Sequence, residues 1–247
     1  MIFFFKKNTI TLDCFTNRSE VYNYFPIEHS VKHIPSWWKR LSKSESNGFN
    51  KQNNMKACQG FIDLYRLGIT IPLWSDFNVI MNGTKTIHWV FSDEDTTAIP
   101  HDPEQRGEFA AYPGYAHLKI ISPWIFKTKE NVKWYFSNVA WNIDYPDQAI
   151  SLPGILDFKY QTATNLNLLF KLSEANQILK FGMGSPIAQI YPLTEKKVII
   201  KNHLVDDQEY KNMKRLHHNS FSNLYNNRKK LIDETIERNK CPFGFGR

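Results

Sequence analysis

The sequence has few cysteines and no long apolar run. Its three cysteines, Cys14, Cys58 and Cys241, are far apart and odd in number. This pattern gives no disulfide framework and is typical of a protein in a reducing compartment. No apolar segment approaches the roughly 18–20 residues that a membrane-spanning helix needs. We therefore expect no membrane insertion.

Several short sequence motifs that identify enzymes are also missing. The sequence contains no HExxH or CxxC metal motif, no GxSxG nucleophile elbow, and no P-loop or GxGxxG phosphate loop. None of the eight histidines is followed two residues later by an acid, a pairing that jelly-roll iron oxygenases commonly use. These absences exclude the enzyme classes that short motifs identify.

Positive charge is present but diluted. The formal net charge is +7, of which residues 1–57 contribute +5, residues 206–247 contribute +3 and the middle of the chain −1. A nucleic-acid-binding protein usually shows a dense basic stripe on one element. Here acids are interspersed with the cations, so we do not expect a nucleic-acid partner.

The middle of the chain has the periodicity of β-strands. Aromatic residues make up 15% of the sequence, which favours sheets. Between residues 69 and 205, short alternating runs recur every eight to twelve residues, and Asn82-Gly83 is typical of a two-residue hairpin turn. This spacing, without helices between the strands, predicts an antiparallel β-sandwich, with the jelly roll as one such arrangement.

The N-terminal and C-terminal parts of the chain are predicted to differ from this β-rich middle. Residues 1–57 show a strand, short helices and an exposed polar loop at 42–54, whereas residues 206–247 form a helical appendage. The predicted C-terminal helix has an apolar face that we expect to pack on the sheet. Its members are Phe221, Leu224, Tyr225, Leu231, Ile232 and Ile236. We predict a single domain over 1–247, with a mostly β core at 58–205.

Two adjacent tryptophans form the first candidate binding element. Trp37 and Trp38 follow Pro35 in the stretch IPSWWKRL. Neighbouring residues do not share a helix face. One ring is therefore expected to complete the inward stripe, while the other lies on the surface or enters a partner's pocket. The other five tryptophans are core candidates or, in pairs, a stacking platform for a sugar or a base.

Two polar residues are further binding candidates. Arg106 lies in a Pro/Gly-rich segment at 92–115, predicted to be an irregular loop, where it either binds an anionic ligand or pairs with the acids at 93–95. Gln189 lies on a predicted strand and points either inward, to a specific partner, or outward. Cys58, after a basic residue near a helix start, is expected to be a buried core thiol rather than a reactive one.

Scattered histidines leave a metal-dependent alternative. His88 and His117 lie on predicted strands, His101 in the 92–115 loop and His203 near the last strand. Two of them with a carboxylate would form an Fe²⁺ site of the 2-oxoglutarate oxygenase type. The commoner interpretation is that they are ordinary hydrogen-bonded or exposed side chains.

The sequence also resembles a known family along nearly its whole length. The resemblance is carried by TITLDCFTNRSEVYNYFPI, IPSWWKRL, MKACQGFIDLYRLGITIPLWSDF, RGEF, HLKIISPWIFKT, LPGILDFKYQTATNLNLLF, GSPIAQIYPLTEKKV and CPFGF. These stretches resemble an uncharacterised protein family of T4-like marine phages, of the cyanophage and pelagiphage type, with distant bacterial relatives. The chain departs from that pattern at Gln59, where relatives often have proline after the cysteine. The resemblance implies a phage-related origin, in the host cytoplasm or the virion, and assigns no reaction.

Our leading functional hypothesis is therefore a non-enzymatic binding or structural accessory protein. We expect a protein partner to contact the Trp37/Trp38 helix or the 92–115 loop. The alternatives are the iron oxygenase and a sugar- or nucleotide-binding module, which would need a Trp-lined pocket.

Overall fold

The computed structural model is mainly β, as the sequence predicts. It describes residues 8–42, 44–47, 50–82, 87–101, 114–140, 149–161, 163–172, 176–215 and 222–240. Short helices at the N-terminal side and a long C-terminal helix accompany several antiparallel sheets. This confirms the predicted fold class.

Strands and helices follow one another in this order. The strands are β1 (Thr9–Thr16), β2 (Glu28–His29), β3 (Ser44–Asn47), β4 (Asn50–Asn53), β5 (Ile69–Pro72), β6 (Phe77–Met81), β7 (Ile87–Phe91), β8 (Ala98–Pro100), β9 (Tyr115–Ile120), β10 (Ile125–Lys127), β11 (Trp134–Ser137), β12 (Ala149–Ser151), β13 (Gly154–Leu156), β14 (Leu166–Lys171), β15 (Gln177–Phe181), β16 (Pro186–Pro192) and β17 (Lys197–Leu204). The α-helices are α1 (Ser19–Tyr24), α2 (Ser36–Arg40), α3 (Gln59–Leu67), α4 (Asp207–Arg215) and α5 (Ser222–Lys240). Short 3-10 turns cover Ser30–His33 and Met55–Ala57.

The strands associate into sheets whose order differs from the chain order. A five-stranded sheet has the order β13-β11-β16-β5-β2, and a four-stranded sheet the order β12-β14-β9-β8. Two three-stranded sheets have the orders β10-β1-β17 and β15-β6-β7, and β3 pairs with β4. Among the described strands, every pairing is antiparallel except β1 with β17, which is parallel from Thr9↔Lys197 to Thr16↔Leu204.

Alternation along each strand explains which side faces the core. In β1, Ile10, Leu12 and Cys14 are buried, while the residues between them are partly exposed. Successive side chains of a strand point to opposite faces, so this pattern buries one face only. Most buried apolar residues of the four larger sheets belong to one hydrophobic cluster, whereas Ile125 on β10 packs with Tyr210 and Met213 of α4.

Phenylalanine rings join the sheets inside that cluster. Phe77 stacks on Phe181 of its own sheet with ring centres 5.4 Å apart and meets Phe170 of the four-stranded sheet edge-on at 6.0 Å. Phe158 packs against Trp134 of the five-stranded sheet and Phe126 of β10. Aromatic pairs in these arrangements add about 0.5–1.5 kcal/mol each beyond the area they bury. The high aromatic content therefore serves the core.

Two polar segments predicted to be loops contain strands. Residues 44–47 and 50–53 pair as β3 and β4, and residues 98–100 form β8, which pairs with β9. Both predictions were wrong at these positions because the backbone can pair without an apolar side-chain pattern. The predicted hairpin at residues 77–91 is present, with Met81 opposite Ile87. Gly83 of its turn lies outside the described residues.

The C-terminal helix α5 is attached differently from the prediction. Leu231, expected on its buried face, is 64% exposed. Polar groups hold the helix beside β13: the Tyr225 hydroxyl donates to Asp157 Oδ2 at 3.2 Å, and Asp233 accepts from the Tyr160 hydroxyl at 2.6 Å. The amphipathic pattern of a helix does not show that hydrogen bonds to carboxylates determine its orientation. Within the described residues, no helix is long and apolar enough to cross a membrane.

Gly68, directly after α3, occupies a position where a side chain does not fit. A Cβ atom there would lie 2.5 Å from the Leu64 carbonyl oxygen and 2.8 Å from Ser30 Oγ. We predict that Gly68→Ala lowers the free energy of unfolding by about 1–3 kcal/mol, the usual cost of overpacking. Gly60→Ala is the control, because a Cβ meets nothing within 4 Å there and alanine raises helix stability by up to about 1 kcal/mol. Urea unfolding of both variants measures this, and a Gly68→Ala protein as stable as wild type would contradict it.

Two partly buried histidines predict a loss of stability in mild acid. Burial lowers the pKa of His29 and His33 below the ordinary value of 6.5, helped by nearby lysines and opposed at His33 by Glu28. The unfolded chain therefore binds protons more readily than the folded chain as the pH falls below 6.5. Stability is full above that value and declines as the pH falls towards the folded-state pKa values. Urea midpoints at pH 7.5 and 5.5 measure the decline, which His33→Gln should reduce; a midpoint unchanged between these pH values argues against it.

Candidate functional site

The adjacent tryptophans have different environments. Helix α2 begins directly after Pro35, whose fixed φ suits a helix start. Trp38 is only 5% exposed and packs edge-on against Phe61 and at a tilt against Tyr65, with ring centres 6.1 and 5.8 Å apart. Trp37 is half-buried and meets Trp38 edge-on at 5.6 Å. Trp38 is thus the inward ring, and Trp37 is the ring that a partner can reach.

Gln189 points inward and has specific partners. It lies on β16 and is buried. Its Oε1 accepts hydrogen bonds from the Ala140 backbone N–H and from the Tyr191 hydroxyl, both at 2.9 Å. A buried amide oxygen with two donors is well satisfied, which offsets the cost of burying it. Of the two orientations left open by the sequence, the structure has the inward one.

Ala140 connects Gln189 to the tryptophans. The Tyr65 hydroxyl donates to the Ala140 carbonyl oxygen at 3.1 Å, while the Ala140 N–H binds Gln189. Tyr65 in turn packs on Trp38. Three of the four predicted binding residues, Trp37, Trp38 and Gln189, therefore belong to one neighbourhood. Arg106, the fourth, lies outside the described residues.

Tyrosines extend this neighbourhood across the five-stranded sheet. Tyr191 pairs with Tyr135 on β11, and Tyr135 pairs with Ile155 on β13. These side chains lie on the face opposite the buried Trp134 and Ile190. We call Trp37, Trp38, Tyr65, Tyr191 and Tyr135 the aromatic track. Sequence reasoning missed its tyrosines, because only strand pairing brings residues 65, 135 and 191 together.

The track ends on an exposed surface. Tyr135 is 37% exposed and Ile155 is 59% exposed. Leu193, two residues beyond Tyr191, is also exposed and donates its backbone N–H to Lys133 on the neighbouring chain segment. The sheet therefore presents apolar and aromatic side chains at the exposed end of the track.

The tyrosine hydroxyls remain neutral at physiological pH. Burial raises the pKa of Tyr65 to about 12. Burial and the neighbouring hydroxyls of Tyr65 and Tyr135 also raise the pKa of Tyr191. Groups that hold their protons donate hydrogen bonds and do not act as bases at pH 7.

The acids at 93–95 have a partner that the sequence did not indicate. Arg18, before α1, contacts Asp93 at 2.5 Å and Glu20 at 2.6 Å. Burial raises the pKa of Asp93, but hydrogen bonds from Thr96 and Arg18 lower it more, so the carboxylate stays ionised. A polar cleft of about 520 Å³ lies beside this pair and is lined in part by Asp95, Asp207 and Lys214. Its charges of both signs offset one another.

The four histidines proposed as metal ligands lie in three different places. His203 contacts Asp13 at 2.8 Å and stacks on Phe15, whereas His88 is exposed on β7. The rings of His101 and His117 lie 4.3 Å apart at the end of the four-stranded sheet. In the part of the chain that the structure describes, no three His, Cys, Asp or Glu side chains are grouped to hold a metal ion.

The exposure of Cys58 and of the tryptophans can be compared with two further expectations. Cys58, predicted to be buried, is exposed at the start of α3. It precedes the helix and so escapes the apolar face that begins with Phe61. Trp74, Trp124 and Trp134 are buried in the core, so they offer no surface for stacking a sugar or a base. Trp141 lies outside the described residues.

We predict that Gln189→Leu lowers the free energy of unfolding by about 1–3 kcal/mol, because the Ala140 N–H and the Tyr191 hydroxyl lose their acceptor. Tyr191→Phe should cost less, since Gln189 then keeps the bond from Ala140. Tyr135→Phe, at the exposed end of the track, should have almost no effect. Chemical denaturation of the three variants measures this order, and a Gln189→Leu protein of wild-type stability would disprove the role of the amide.

Comparison of the sequence with models of protein families and with curated proteins finds no match.

Proposed function

We propose that the protein is a phage-related accessory protein that acts by binding a protein partner rather than by catalysis. The observation that carries this proposal is the exposed end of the aromatic track, where Tyr135 lies opposite Ile155 on the neighbouring strand and the exposed Leu193 follows β16. Tyrosine and large apolar residues supply much of the contact energy of protein interfaces. Isolated apolar residues on a surface are ordinary, but a patch of neighbouring ones is typical of a binding site.

The patch is held rigid before any partner arrives. Tyr135 lies on β11, which pairs with β13 on one side and β16 on the other. Gln189 and Ala140 tie β16 to the chain segment that follows β11. A surface whose side chains are already ordered loses less conformational entropy on binding. This rigidity favours recognition of a shaped protein surface.

The tryptophans have separate roles in this proposal. Trp38 holds α2 against α3 through its contacts with Phe61 and Tyr65. Trp37 forms the rim of the binding surface at the other end of the track. In this proposal the predicted contact through the Trp37/Trp38 helix therefore involves the Trp37 ring and not the Trp38 ring. The net charge of +7 favours a partner with acidic surface, because charge complementarity speeds association. Residues 102–113 of the 92–115 loop, the other predicted contact, lie outside the described residues.

The resemblance to the marine phage family supports the biological setting. It implies a setting in the host cytoplasm during phage growth or in the virion. The rival iron oxygenase on a jelly roll would hold Fe²⁺ with two histidines and a carboxylate. Within the described residues, no carboxylate is grouped with two of its four predicted ligands.

Site-specific photocrosslinking tests the proposal. Tyr135 is replaced by the photoreactive amino acid p-benzoylphenylalanine, and the protein is made in its native host cells during phage growth. Irradiation should give one discrete adduct whose partner, identified from its peptides, is a phage-encoded protein or a second copy of this chain. A second substitution, Ile155→Arg, should remove that adduct, because a buried cation would oppose the apolar contact.

The matched control is the same photoreactive residue at Val90. This position is also an exposed apolar strand residue, but it lies on β7 in a different sheet. An adduct at 135 that is absent at 90 and lost with Ile155→Arg supports the proposal. Identical adducts at both positions, or none from a folded protein carrying the label at 135, would disprove it.

A further inference from the structure

Helix α5 covers a tyrosine of the β core through one stripe of its residues. Tyr160, in the turn after β13, is only 2% exposed. Its ring meets the Tyr225 ring edge-on at 6.1 Å, Lys229 Nζ lies 5.7 Å from its centre, and its hydroxyl donates to Asp233 Oδ1 at 2.6 Å. Residues four apart on a helix share a face, so 225, 229 and 233 form one stripe. Three successive turns of α5 therefore close over the Tyr160 ring.

The groups that receive α5 are held in place by their own part of the chain. Asp157 Oδ1 accepts the Lys159 backbone N–H at 3.2 Å, and the Asp157 carbonyl oxygen accepts the Tyr160 N–H at 2.9 Å. Lys133 Nζ lies 2.6 Å from Asp157 Oδ2. Phe158, within the same turn, is fully buried in the core. We call Lys133, Asp157, Lys159 and Tyr160 the socket; none of these bonds within it needs the helix.

An ion pair at the surface contributes to the attachment of α5. Asp233 Oδ1 accepts from Lys159 Nζ at 3.0 Å as well as from the Tyr160 hydroxyl. These two hydrogen bonds lower the pKa of Asp233, so its carboxylate is ionised at neutral pH. The Asp233 side chain is 38% exposed. Salt screens exposed charges, over about 3 Å at an ionic strength near 1 M, so this attachment weakens as the salt concentration rises.

Apolar burial adds little to the attachment. Among residues 225–237 of α5, whose side chains the structure describes, none is buried. Leu231 is 64% exposed, and Ile232 and Ile236 are half-buried without belonging to either hydrophobic cluster of the core. Most helices in proteins are stabilised by packing an apolar face against the rest of the molecule. Because α5 packs so little apolar surface, its docking depends on its polar contacts.

From this arrangement we propose that α5 is a detachable helix, which undocks from the socket as a unit while the sheets stay folded, and that rising ionic strength favours the undocked state. Segments with few buried apolar contacts open at a much lower free-energy cost than the whole domain. Undocking uncovers the Tyr160 ring and the Asp157 carboxylate, which follow Ile155 of the proposed binding surface in the chain. The undocking itself does not depend on that proposed function.

Hydrogen exchange of the full-length protein, followed by mass spectrometry at about 0.05 M and about 1 M NaCl, tests the undocking. We expect peptides from α5 to exchange at least about tenfold faster at the higher salt concentration, because an undocked helix of this length frays in water. Peptides from β9 and β14 should exchange at an unchanged rate, which shows that the core stays folded. The proposal is overturned if α5 exchanges equally fast at both salt concentrations, or if the core peptides accelerate with it.

A substitution and a chemical probe locate the effect at the socket. Asp233→Ala should give fast exchange of α5 even at the lower salt concentration and raise the nitration of Tyr160 by tetranitromethane severalfold, because the ring loses its cover. Glu237→Ala is the matched control, since it removes the same charge from an exposed position one turn further along α5, and it should leave both measurements unchanged. Tyr24, which is 75% exposed, gives the nitration of an open tyrosine in every sample. If Asp233→Ala behaves as Glu237→Ala does, the ion pair does not hold the helix and the proposal is wrong.

Discussion

The parallel pairing of β1 with β17 determines where the N-terminal part of the chain lies. It joins residues about 190 positions apart in sequence and runs over eight residue pairs. The entropy cost of closing so long a loop grows only with the logarithm of its length, and the buried face of Ile10 and Leu12 helps to offset it. The Asn202 side chain adds a clamp: it donates to the Ile27 carbonyl oxygen and accepts from the Ile27 N–H. This clamp holds the chain directly before β2, which pairs with β5 in the five-stranded sheet. The segment that contains Trp37 and Trp38 follows β2 in the chain.

Polar groups inside the molecule join elements that apolar packing alone would leave loosely oriented. Ala140 binds Gln189 with its N–H and Tyr65 with its carbonyl, so α3, β11 and β16 meet at a single residue. Arg18 and Asp93 do the same for the segments around α1 and β7. Such contacts add little net stability, but breaking them leaves unpaired buried groups, so they select one arrangement. These hydrogen bonds therefore fix the relative positions of the side chains in the aromatic track.

The proposed binding surface relies on strands as supports. Tyr135 lies on β11, which is flanked by two paired strands. A rigid backbone places side chains more accurately than a loop does, which benefits a shaped interface. By contrast, α5 is attached through Tyr225 and Asp233, whose partners are at the edge of the sheet. The chain thus combines a rigid centre with a helix held by polar contacts.

Alternation and turn residues in the sequence were enough to predict the strands from 69 to 204 and the hairpin around Asn82, because these are local signals of period and turn chemistry. They also indicated that one ring of Trp37 and Trp38 faces inward. Strand order was not predictable, since pairing depends on contacts between distant residues; hence β8, the exposed side of Leu231 and the partners of Gln189 became apparent only in the tertiary structure. The same holds for His101 and His117, which the sequence named among four histidines. Only the register of β8 against β9 placed these two together, because opposed positions in a ladder are set by the fold and not by spacing along the chain.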